Sequence, residues 1–341
     1  MKFSLLIAFC VLSLNLNAQK KTTTQDSIKV FYNELFSALK KKYLHKKTID
    51  WKVVESETSQ NLVSYDNFEN SLNEVQILFD KIGATHCNIY RSQKKYTATP
   101  KIKSKADYSE QWKKKYNTKP GFEARILDGK YGYILIPGMT FFDISAENMH
   151  KIAQPLYDQI AEIKTNNPIE GWIIDLRLNT GGNSLPMLLS LYDFLGDNTI
   201  FGSLDVNKKQ ESTVKLKKGS YIYNDKVLSY INPNGVLLDQ AKVAVILGQV
   251  TASSGEVTAL AFKGRPNTTF IGESTYGATT GNMFWPLPFG STMALTTSYD
   301  SDRNGNYYEQ IIPDIAVSTQ DNFDDLSLDK HIQEAIKFIL K

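Results

Sequence analysis

The stretch Val243-Ala-Val-Ile-Leu-Gly-Gln-Val-Thr-Ala-Ser-Ser-Gly-Glu-Val-Thr-Ala-Leu-Ala-Phe262 joins two apolar runs through a turn of small residues. Residues 243–247 have the length and β-branched composition of a buried strand, and residues 257–262 have the pattern of a helix. A serine at such a turn can be held out into a cleft beside the N–H groups of the helix N-terminus. Ser253 and Ser254 are therefore candidate nucleophiles, although an ordinary helix N-cap has the same pattern.

The chain from residue 121 onward continues this alternation of strands and helices. Such an order predicts a largely parallel sheet with helices packed on it, so the expected fold class is α/β. Residues 208–230 interrupt the order with hairpin-like sequence and are predicted to be an insertion near the site. The predicted strands are 131–136, 172–176 and 243–247, the predicted helices are 146–165, 185–195, 257–262 and 328–340, and a hairpin is predicted at 284–287 with 293–297.

The N-terminal residues have the pattern of a secretory signal peptide. Lys2 is followed by an apolar core at residues 3–14, and the small residue Ala18 precedes Gln19. We therefore expect the mature protein to be exported, to the periplasm or the extracellular space. No later stretch is long and apolar enough to predict a membrane span.

Changes of pattern divide the chain into four predicted segments. Amphipathic helical patterns at residues 26–46 and 68–82 indicate a small helical domain ahead of the α/β part. Lysine-rich and poorly periodic sequence after it indicates a linker or exposed loop. The predicted boundaries are 1–18 for the signal peptide, 19–91 for the helical domain, 92–120 for the linker or loop, and 121–341 for the catalytic domain.

Charge and cysteine content exclude several classes of protein. The chain has 39 basic and 36 acidic side chains, a formal net charge of +3, which is too balanced to indicate nucleic-acid binding. Removal of the signal peptide leaves Cys87 as the single cysteine, so no disulfide can form within the chain. Cys87 beside His86 raises a metal site as a possibility, but no second pair of ligands at useful spacing supports it. No metal and no organic cofactor are expected.

A serine hydroxyl needs a base to accept its proton before it can act as a nucleophile. His45 lies at a lysine-rich helix end, while His150 and His331 lie within helical patterns that favour a surface or packing role. His86 follows the helix-ending Gly83 and precedes an apolar strand, so its side chain can point into a cleft. His86 is therefore the candidate base, although a structural histidine gives the same pattern.

Two glycines, Gly181 and Gly182, follow the strand predicted at residues 172–176. Glycine lets a backbone N–H face a ligand with no side chain in the way, as an oxyanion hole requires. A tight turn between a strand and a helix also needs glycine, for conformational reasons alone. The two interpretations are compatible, and the sequence does not separate them.

Five segments carry patterns that occur together, in this order: Tyr131-Gly-Tyr-Ile-Leu-Ile-Pro137, Gly171-Trp-Ile-Ile-Asp-Leu-Arg-Leu-Asn-Thr-Gly-Gly-Asn183, Thr251-Ala-Ser-Ser-Gly-Glu256, Gly272-Glu-Ser-Thr-Tyr-Gly277 and Ile312-Pro-Asp-Ile315. The set resembles the tail-specific (carboxy-terminal processing) serine peptidases. The resemblance implies a crotonase-like layered α/β catalytic domain, here preceded by the small helical domain. Many members carry a peptide-binding PDZ domain, for which residues 92–120 are too short, so none is expected.

One departure from that family bears on the mechanism. Its better-known branch uses a Ser–Lys dyad, with the lysine just after the glycine that corresponds to Gly277. Here Ala278 stands at that position and cannot accept a proton. Lys263 follows the serine helix, and its position gives no reason to expect contact with Ser253.

The tricorn-core-like branch uses serine, histidine and glutamate instead, and Gly83-Ala-Thr-His86 resembles the segment that carries its histidine. Its glutamate lies shortly before a Pro-Asp pair, as Glu309 does here. The resemblance implies a relay in which two residues orient the imidazole and stabilise its cation. The implied roles are Ser253 as nucleophile, His86 as general base, Thr85 and Glu309 as the relay, and the N–H groups of Ser254 and of Gly181 or Gly182 as oxyanion donors.

The sequence thus predicts an exported serine endopeptidase that hydrolyses peptide or protein substrates through an acyl-enzyme. Ser254 stays open as an alternative nucleophile to Ser253. Two other functions also stay open: a non-catalytic protein that binds a peptide or an apolar ligand on the same fold, and a serine esterase or amidase. No oligomeric state is predicted.

Overall fold

A computed structural model describes residues 24–100 and 108–341, so the predicted signal peptide lies outside the described residues. Among the described residues, no helix is long and apolar enough to cross a membrane. The helices are α1 (Thr24–Lys42), α2 (Trp51–Leu62), α3 (Phe68–Ser71), α4 (Glu74–Lys81), α5 (Glu110–Asn117), α6 (Ala146–Asn166), α7 (Ser184–Ser190), α8 (Tyr192–Leu195), α9 (Ser254–Phe262) and α10 (Lys330–Leu340). The strands are β1 (Asn88–Arg91), β2 (Lys94–Thr97), β3 (Glu123–Leu127), β4 (Tyr131–Leu135), β5 (Gly171–Asp175), β6 (Thr199–Leu204), β7 (Gln210–Lys217), β8 (Ser220–Tyr223), β9 (Lys226–Tyr230), β10 (Val243–Leu247), β11 (Thr268–Gly272), β12 (Thr280–Leu287), β13 (Ser291–Ser301) and β14 (Ile315–Ala316).

A six-stranded sheet in the order β14-β11-β10-β5-β4-β3 forms the centre of the α/β part. All its pairings are parallel except that of β3 with β4, which confirms the prediction of a largely parallel sheet. Strands β4, β5 and β10 are buried along their whole length because helices cover both faces. Residues of β5 and β10 therefore alternate between two cores: Ile174 and Val245 pack with α6, α7 and α9, while Ile173 and Ile246 pack with α5 and α10.

A second, eight-stranded sheet has the order β2-β1-β13-β6-β7-β8-β9, with β12 paired to β13. The predicted insertion at residues 208–230 forms its outer strands β7, β8 and β9. At the other end, β1 and β13 share a core with the N-terminal helices α1 and α4, in which Phe31, Leu78 and Ile89 are fully or almost fully buried. The helical part is therefore anchored to a sheet in which β1 follows the N-terminal helices in the chain and β13 comes much later.

Two elements differ from the sequence-based predictions. Helix α2 was missed because its buried residues, Val54, Thr58 and Leu62, give a weak apolar stripe. The described part of residues 92–120, predicted to be a linker or exposed loop, contains β2 and α5. Helix α5 is fixed by Trp112, whose indole N–H donates to the Arg177 carbonyl at 3.0 Å. The domain boundaries themselves stay a prediction.

The buried guanidinium of Arg177, just after β5, joins the sheet to the C-terminal segment. It donates to carboxylates of Asp175, Asp321 and Asp329 at 2.6, 2.8 and 2.8 Å. Asp329 also caps α10 by accepting from the N–H groups of its first turn. Although burial alone would raise it, the Arg177 charge and hydrogen bonds to the carboxylate hold the pKa of Asp329 well below its usual range.

Replacing Arg177 with methionine should lower the free energy of unfolding by about 3–5 kcal/mol, because it leaves buried carboxylates without their counter-charge. Since the pKa of Asp329 is depressed in the folded state, its stabilising contribution is present at neutral pH and is lost as the pH falls below about 4. Urea unfolding at several pH values measures both effects. The exposed Arg125, which forms no ion pair with the described residues, gives the matched control Arg125→Met. Equal stability of the two variants would contradict this role.

Candidate active site

Ser253 occupies the turn between β10 and α9 in a conformation that serine rarely adopts, with φ +52° and ψ −115°. Two contacts with Asn179 hold this turn: the Ala252 N–H donates to the Asn179 carbonyl at 3.0 Å, and the Asn179 side chain lies against Gly255. A Cβ at residue 255 would approach the Asn179 amide oxygen to 2.8 Å, so glycine is needed there. A strained serine held at a strand-to-helix turn is typical of a nucleophile.

The two adjacent serines differ in their contacts. Ser254 is buried, and its hydroxyl donates to the Gly182 carbonyl at 2.6 Å. The Ser253 side chain is partly exposed and faces Gly181, where an added Cβ would lie 3.5 Å from Ser253 Oγ. Ser253 is therefore the serine whose hydroxyl is available at the surface of the turn.

The two candidate oxyanion glycines also differ. Gly181 and Gly182 have φ +105° and +120°, and a Cβ on Gly182 would lie 1.9 Å from the Met139 carbonyl oxygen. The Gly181 N–H donates to the Asn179 side-chain oxygen at 3.0 Å. By contrast, the N–H groups of Gly182 and Ser254 donate to no acceptor among residues 24–100 and 108–341. These two amides are free to bind an oxygen of a ligand.

The carboxylate of Glu256 joins the serine turn to the segment that leads into β12. It accepts four hydrogen bonds, from Ser253 N–H (3.0 Å), Thr275 Oγ1 (2.5 Å), Gly277 N–H (2.9 Å) and Ala278 N–H (2.7 Å). Burial raises the pKa of Glu256, and these four bonds act in the opposite direction. All four partners donate, so a proton on this carboxylate would displace one of them.

His86 lies just before β1 and contacts the start of β12. Its Nδ1 lies 2.7 Å from the Thr280 hydroxyl, and its carbonyl accepts from the side-chain amide of Asn282 at 3.1 Å. Loss of hydration around the ring and, to a smaller extent, the nearby Lys95 ammonium lower the pKa of His86 to about 4, against a raising effect of Thr280. The imidazole is therefore neutral near pH 7 and can accept a proton.

Residues 130–317, more than half of the chain, match peptidase family S41. The chain belongs to this family. Membership supports a peptidase, a hydrolase whose substrates are peptides or proteins.

Three known proteins are similar to this chain over more than half of its length. The nisin-resistance protein of Lactococcus lactis subsp. lactis is 28% identical over 270 residues, covering 78% of this chain and 76% of that protein. The carboxy-terminal-processing protease of Bartonella bacilliformis is 26% identical over 196 residues, 56% of this chain and 39% of that protein. A lipoprotein from Streptococcus agalactiae has a similar fold, with a TM-score of 0.66 at 24% identity, covering 92% of this chain and 96% of that one.

The two predicted relay residues lie at the protein surface. The side chains of Thr85 and Glu309 are exposed, and no hydrogen bond joins either one to His86 among the described residues. Glu309 contributes its carbonyl instead, which accepts from Thr279 Oγ1 at 3.2 Å. Sequence reasoning missed Thr280, although a pair of hydroxyl residues directly after Ala278 was a visible signal.

Lys263 does not replace the lysine that the Ser–Lys branch has at the position of Ala278. Ala278 is buried and holds Glu256 through its N–H, while Lys263 points at the ring of Phe270, 4.2 Å from its centroid. Lys95 is the lysine that acts electrostatically on His86.

One group of metal-ligand types, Asp321, Asp329 and His331, lies with its donor atoms within 4.8 Å of one another. Arg177 Nη1 lies 2.8, 2.8 and 3.2 Å from atoms of these three side chains. A guanidinium therefore occupies the position that a cation would need.

Replacing Glu256 with glutamine should lower the free energy of unfolding by about 2 kcal/mol, because the new amide group must face at least one backbone N–H. Hydrogen exchange at the amides of Gly277 and Ala278 should be faster in this variant. The control is Glu273→Gln, since Glu273 accepts a single side-chain bond, from Gln249. Unchanged exchange at both amides would show that the carboxylate does not hold this segment.

Proposed function

We propose that the protein is an exported serine peptidase in which Ser253 is the nucleophile and His86 the general base. The observation that carries this proposal is the anchored, neutral imidazole: one ring nitrogen is held by Thr280, which leaves the other for the serine proton. The strained Ser253 turn and the two free amides support the same assignment.

In the proposed reaction, the Ser253 hydroxyl passes its proton to Nε2 of His86 as Oγ attacks the carbonyl carbon of the scissile bond. The N–H groups of Gly182 and Ser254 stabilise the negative oxygen that forms. The imidazolium then gives its proton to the leaving amine, and an acyl-enzyme remains on Ser253. Water, deprotonated by His86, releases the second product and restores the hydroxyl.

Thr280 is the proposed residue that orients the base, His86. In this proposal its hydroxyl oxygen, 2.7 Å from Nδ1 of His86, accepts the Nδ1–H, which fixes the tautomer with a lone pair on Nε2. A hydroxyl carries no charge, so it orients the ring without raising its basicity as a carboxylate does. The Thr85–Glu309 relay is the rival proposal, because it rests on resemblance to the tricorn-core-like branch.

A narrower function is favoured by the nisin-resistance protein, which matches over 76% of its own length. In this second proposal, the peptidase protects the cell that makes it against nisin or a related substance. Growth of a sensitive host in nisin, with wild type compared with Ser253→Ala, separates this function from a general peptidase.

A fluorophosphonate probe should label wild type at Ser253, and Ser253→Ala should not be labelled. Ser254→Ala should keep labelling at a reduced rate, because its hydroxyl positions the Gly182 carbonyl and not the reacting atom. Mass spectrometry of the digested protein identifies the labelled serine. Absence of labelling in wild type would favour a non-catalytic binding protein, and labelling without cleavage of any peptide in a mixed library would favour an esterase.

Replacing Thr280 with valine should lower kcat about 10- to 100-fold with KM little changed, because the imidazole loses its fixed tautomer but the substrate contacts remain. Thr280→Ser should restore most of the activity. Steady-state kinetics of these two variants beside Thr85→Ala and Glu309→Gln compares the two proposals. A larger loss in Thr85→Ala or Glu309→Gln than in Thr280→Val would favour the relay.

A further inference from the structure

Asp300 is a buried carboxyl group that the proposed reaction does not use. It lies in β13, on the face opposite to its neighbour Tyr299, and is 4% exposed. Its side chain forms no hydrogen bond and no ion pair with any described residue. A buried carboxyl without a partner is costly when it is ionised, so a neutral side chain would be more stable at this position.

Two contacts place Asp300 around Thr280, the residue that holds the imidazole. The Asp300 N–H donates to the Thr279 carbonyl at 3.0 Å. On the other side of Thr280, a Cβ on Gly281 would lie 3.3 Å from Asp300 Oδ1, so the carboxyl lies beside the Gly281 backbone. The Thr280 hydroxyl lies 2.7 Å from Nδ1 of His86. Asp300 thus contacts both residues that flank the one on which the base depends.

A second buried carboxylate, that of Glu256, binds the same stretch of backbone. Glu256 accepts from the N–H of Ala278, the residue directly before Thr279. It has four donors, whereas the Asp300 carboxyl has none among the described residues. Two neighbouring buried carboxyls do not both ionise at neutral pH without cost, and the charge goes to the one that has the donors. Glu256 is therefore the ionised member, and Asp300 is the member that holds a proton.

No described cation compensates the charge of Asp300 when it ionises. Burial and, to a smaller extent, the Glu256 charge raise the pKa of Asp300 to about 7. Tyr221 of β8 also lies within electrostatic range, and it is an acid as well. The neighbours on the adjoining strands are neutral: Ser203 of β6 is paired with Asp300, and its hydroxyl lies 2.5 Å from that of Ser212 in β7.

We propose that Asp300 is a positioning residue for the catalytic base and that it must carry its proton for the enzyme to work at full rate. With the proton, the neutral carboxyl packs beside Gly281 and leaves Thr280 in place. Without it, the carboxylate repels that of Glu256 and draws water to the start of β12, so that Thr280 shifts and the imidazole loses its fixed tautomer. The inference rests on the proposed function, because Thr280 acts through the base.

Two pH limits on peptide hydrolysis follow from this role. Below about pH 4 the imidazole of His86 is protonated and cannot accept the serine proton. Above about pH 7 Asp300 is ionised. The kcat of wild type should therefore rise around pH 4, stay level, and fall about tenfold above pH 7, the lower end of the loss expected for Thr280→Val.

The kinetic test compares wild type with Asp300→Asn and Asp300→Ser from about pH 5 to about pH 9. Both variants are neutral at position 300 at every pH, so both should keep above pH 7 the kcat that they have below it, with KM little changed. Agreement between the two variants separates the loss of the charge from any hydrogen bond of the new asparagine. The control is Asp193→Asn, since Asp193 is a buried carboxylate that is paired with Lys164. This variant should show the same fall in kcat above pH 7 as wild type.

Thermal unfolding tests the proton of Asp300 without using activity. The pKa of Asp300 is higher in the folded protein than the usual aspartate value of about 4, so wild type loses stability as the pH rises from about 4 to about 7 and loses no more above it. The Tm of Asp300→Asn relative to that of wild type should therefore rise over this interval and then stay constant. Asp193→Asn should instead lower the Tm at neutral pH, because it leaves the Lys164 ammonium buried without a counter-charge.

Two results would overturn the inference. One is a Tm difference between Asp300→Asn and wild type that stays the same from about pH 4 to about pH 7, since Asp300 would then hold no proton. The other is a kcat above pH 7 that falls equally in wild type and in both Asp300 variants, or that does not fall in wild type. Failure of wild type to cleave any peptide or to react with a fluorophosphonate is a different outcome. It contradicts the proposed function, and the positioning role with it, while the Tm measurement still shows whether Asp300 holds a proton.

Discussion

The carboxylate of Glu256 is the constraint on which the geometry of the site depends. Its four hydrogen bonds connect the N–H of Ser253 with the segment of Thr275, Gly277 and Ala278. Two residues after Ala278, Thr280 contacts the imidazole of His86. A single buried carboxylate therefore sets the position of the serine relative to the strand that holds the histidine. Because every partner is a donor, the four hydrogen bonds favour the ionised form of the Glu256 carboxylate. Rotation of the carboxylate would not improve these hydrogen bonds.

Each of the two sheets contributes part of the candidate site. The six-stranded sheet supplies the serine turn after β10 and the glycine turn after β5, and both turns follow buried parallel strands. The eight-stranded sheet supplies β1 and β12, which hold His86. The ring contact of Tyr90 with Phe142 joins β1 of the second sheet to the loop after β4 of the first.

The sequence predicted the parts of this protein that depend on local pattern. The strand, turn and helix around Ser253 and the glycines after β5 follow from periodicity and from the conformations that glycine allows. Thr280 was not predicted, because its contact with His86 joins residues that are distant in the chain and depends on the pairing of β12 with β13. Helix α2 was missed because its apolar stripe is weak, and β2 because a lysine-rich hairpin has few buried positions. The roles of Thr85 and Glu309 rest on resemblance alone and stay a prediction.

The central claim is that Ser253, His86 and the amides of Gly182 and Ser254 surround one reacting carbonyl. A crystal structure of the protein after reaction with a fluorophosphonate tests it most directly, because the bound phosphorus imitates the tetrahedral intermediate. The account predicts phosphorus on Ser253 Oγ, one phosphoryl oxygen about 2.7–3.1 Å from the N–H groups of Gly182 and Ser254, and His86 Nε2 within about 3.2 Å of Oγ or of the leaving-group oxygen. Phosphorus on Ser254, or an imidazole turned away from Ser253, would contradict it.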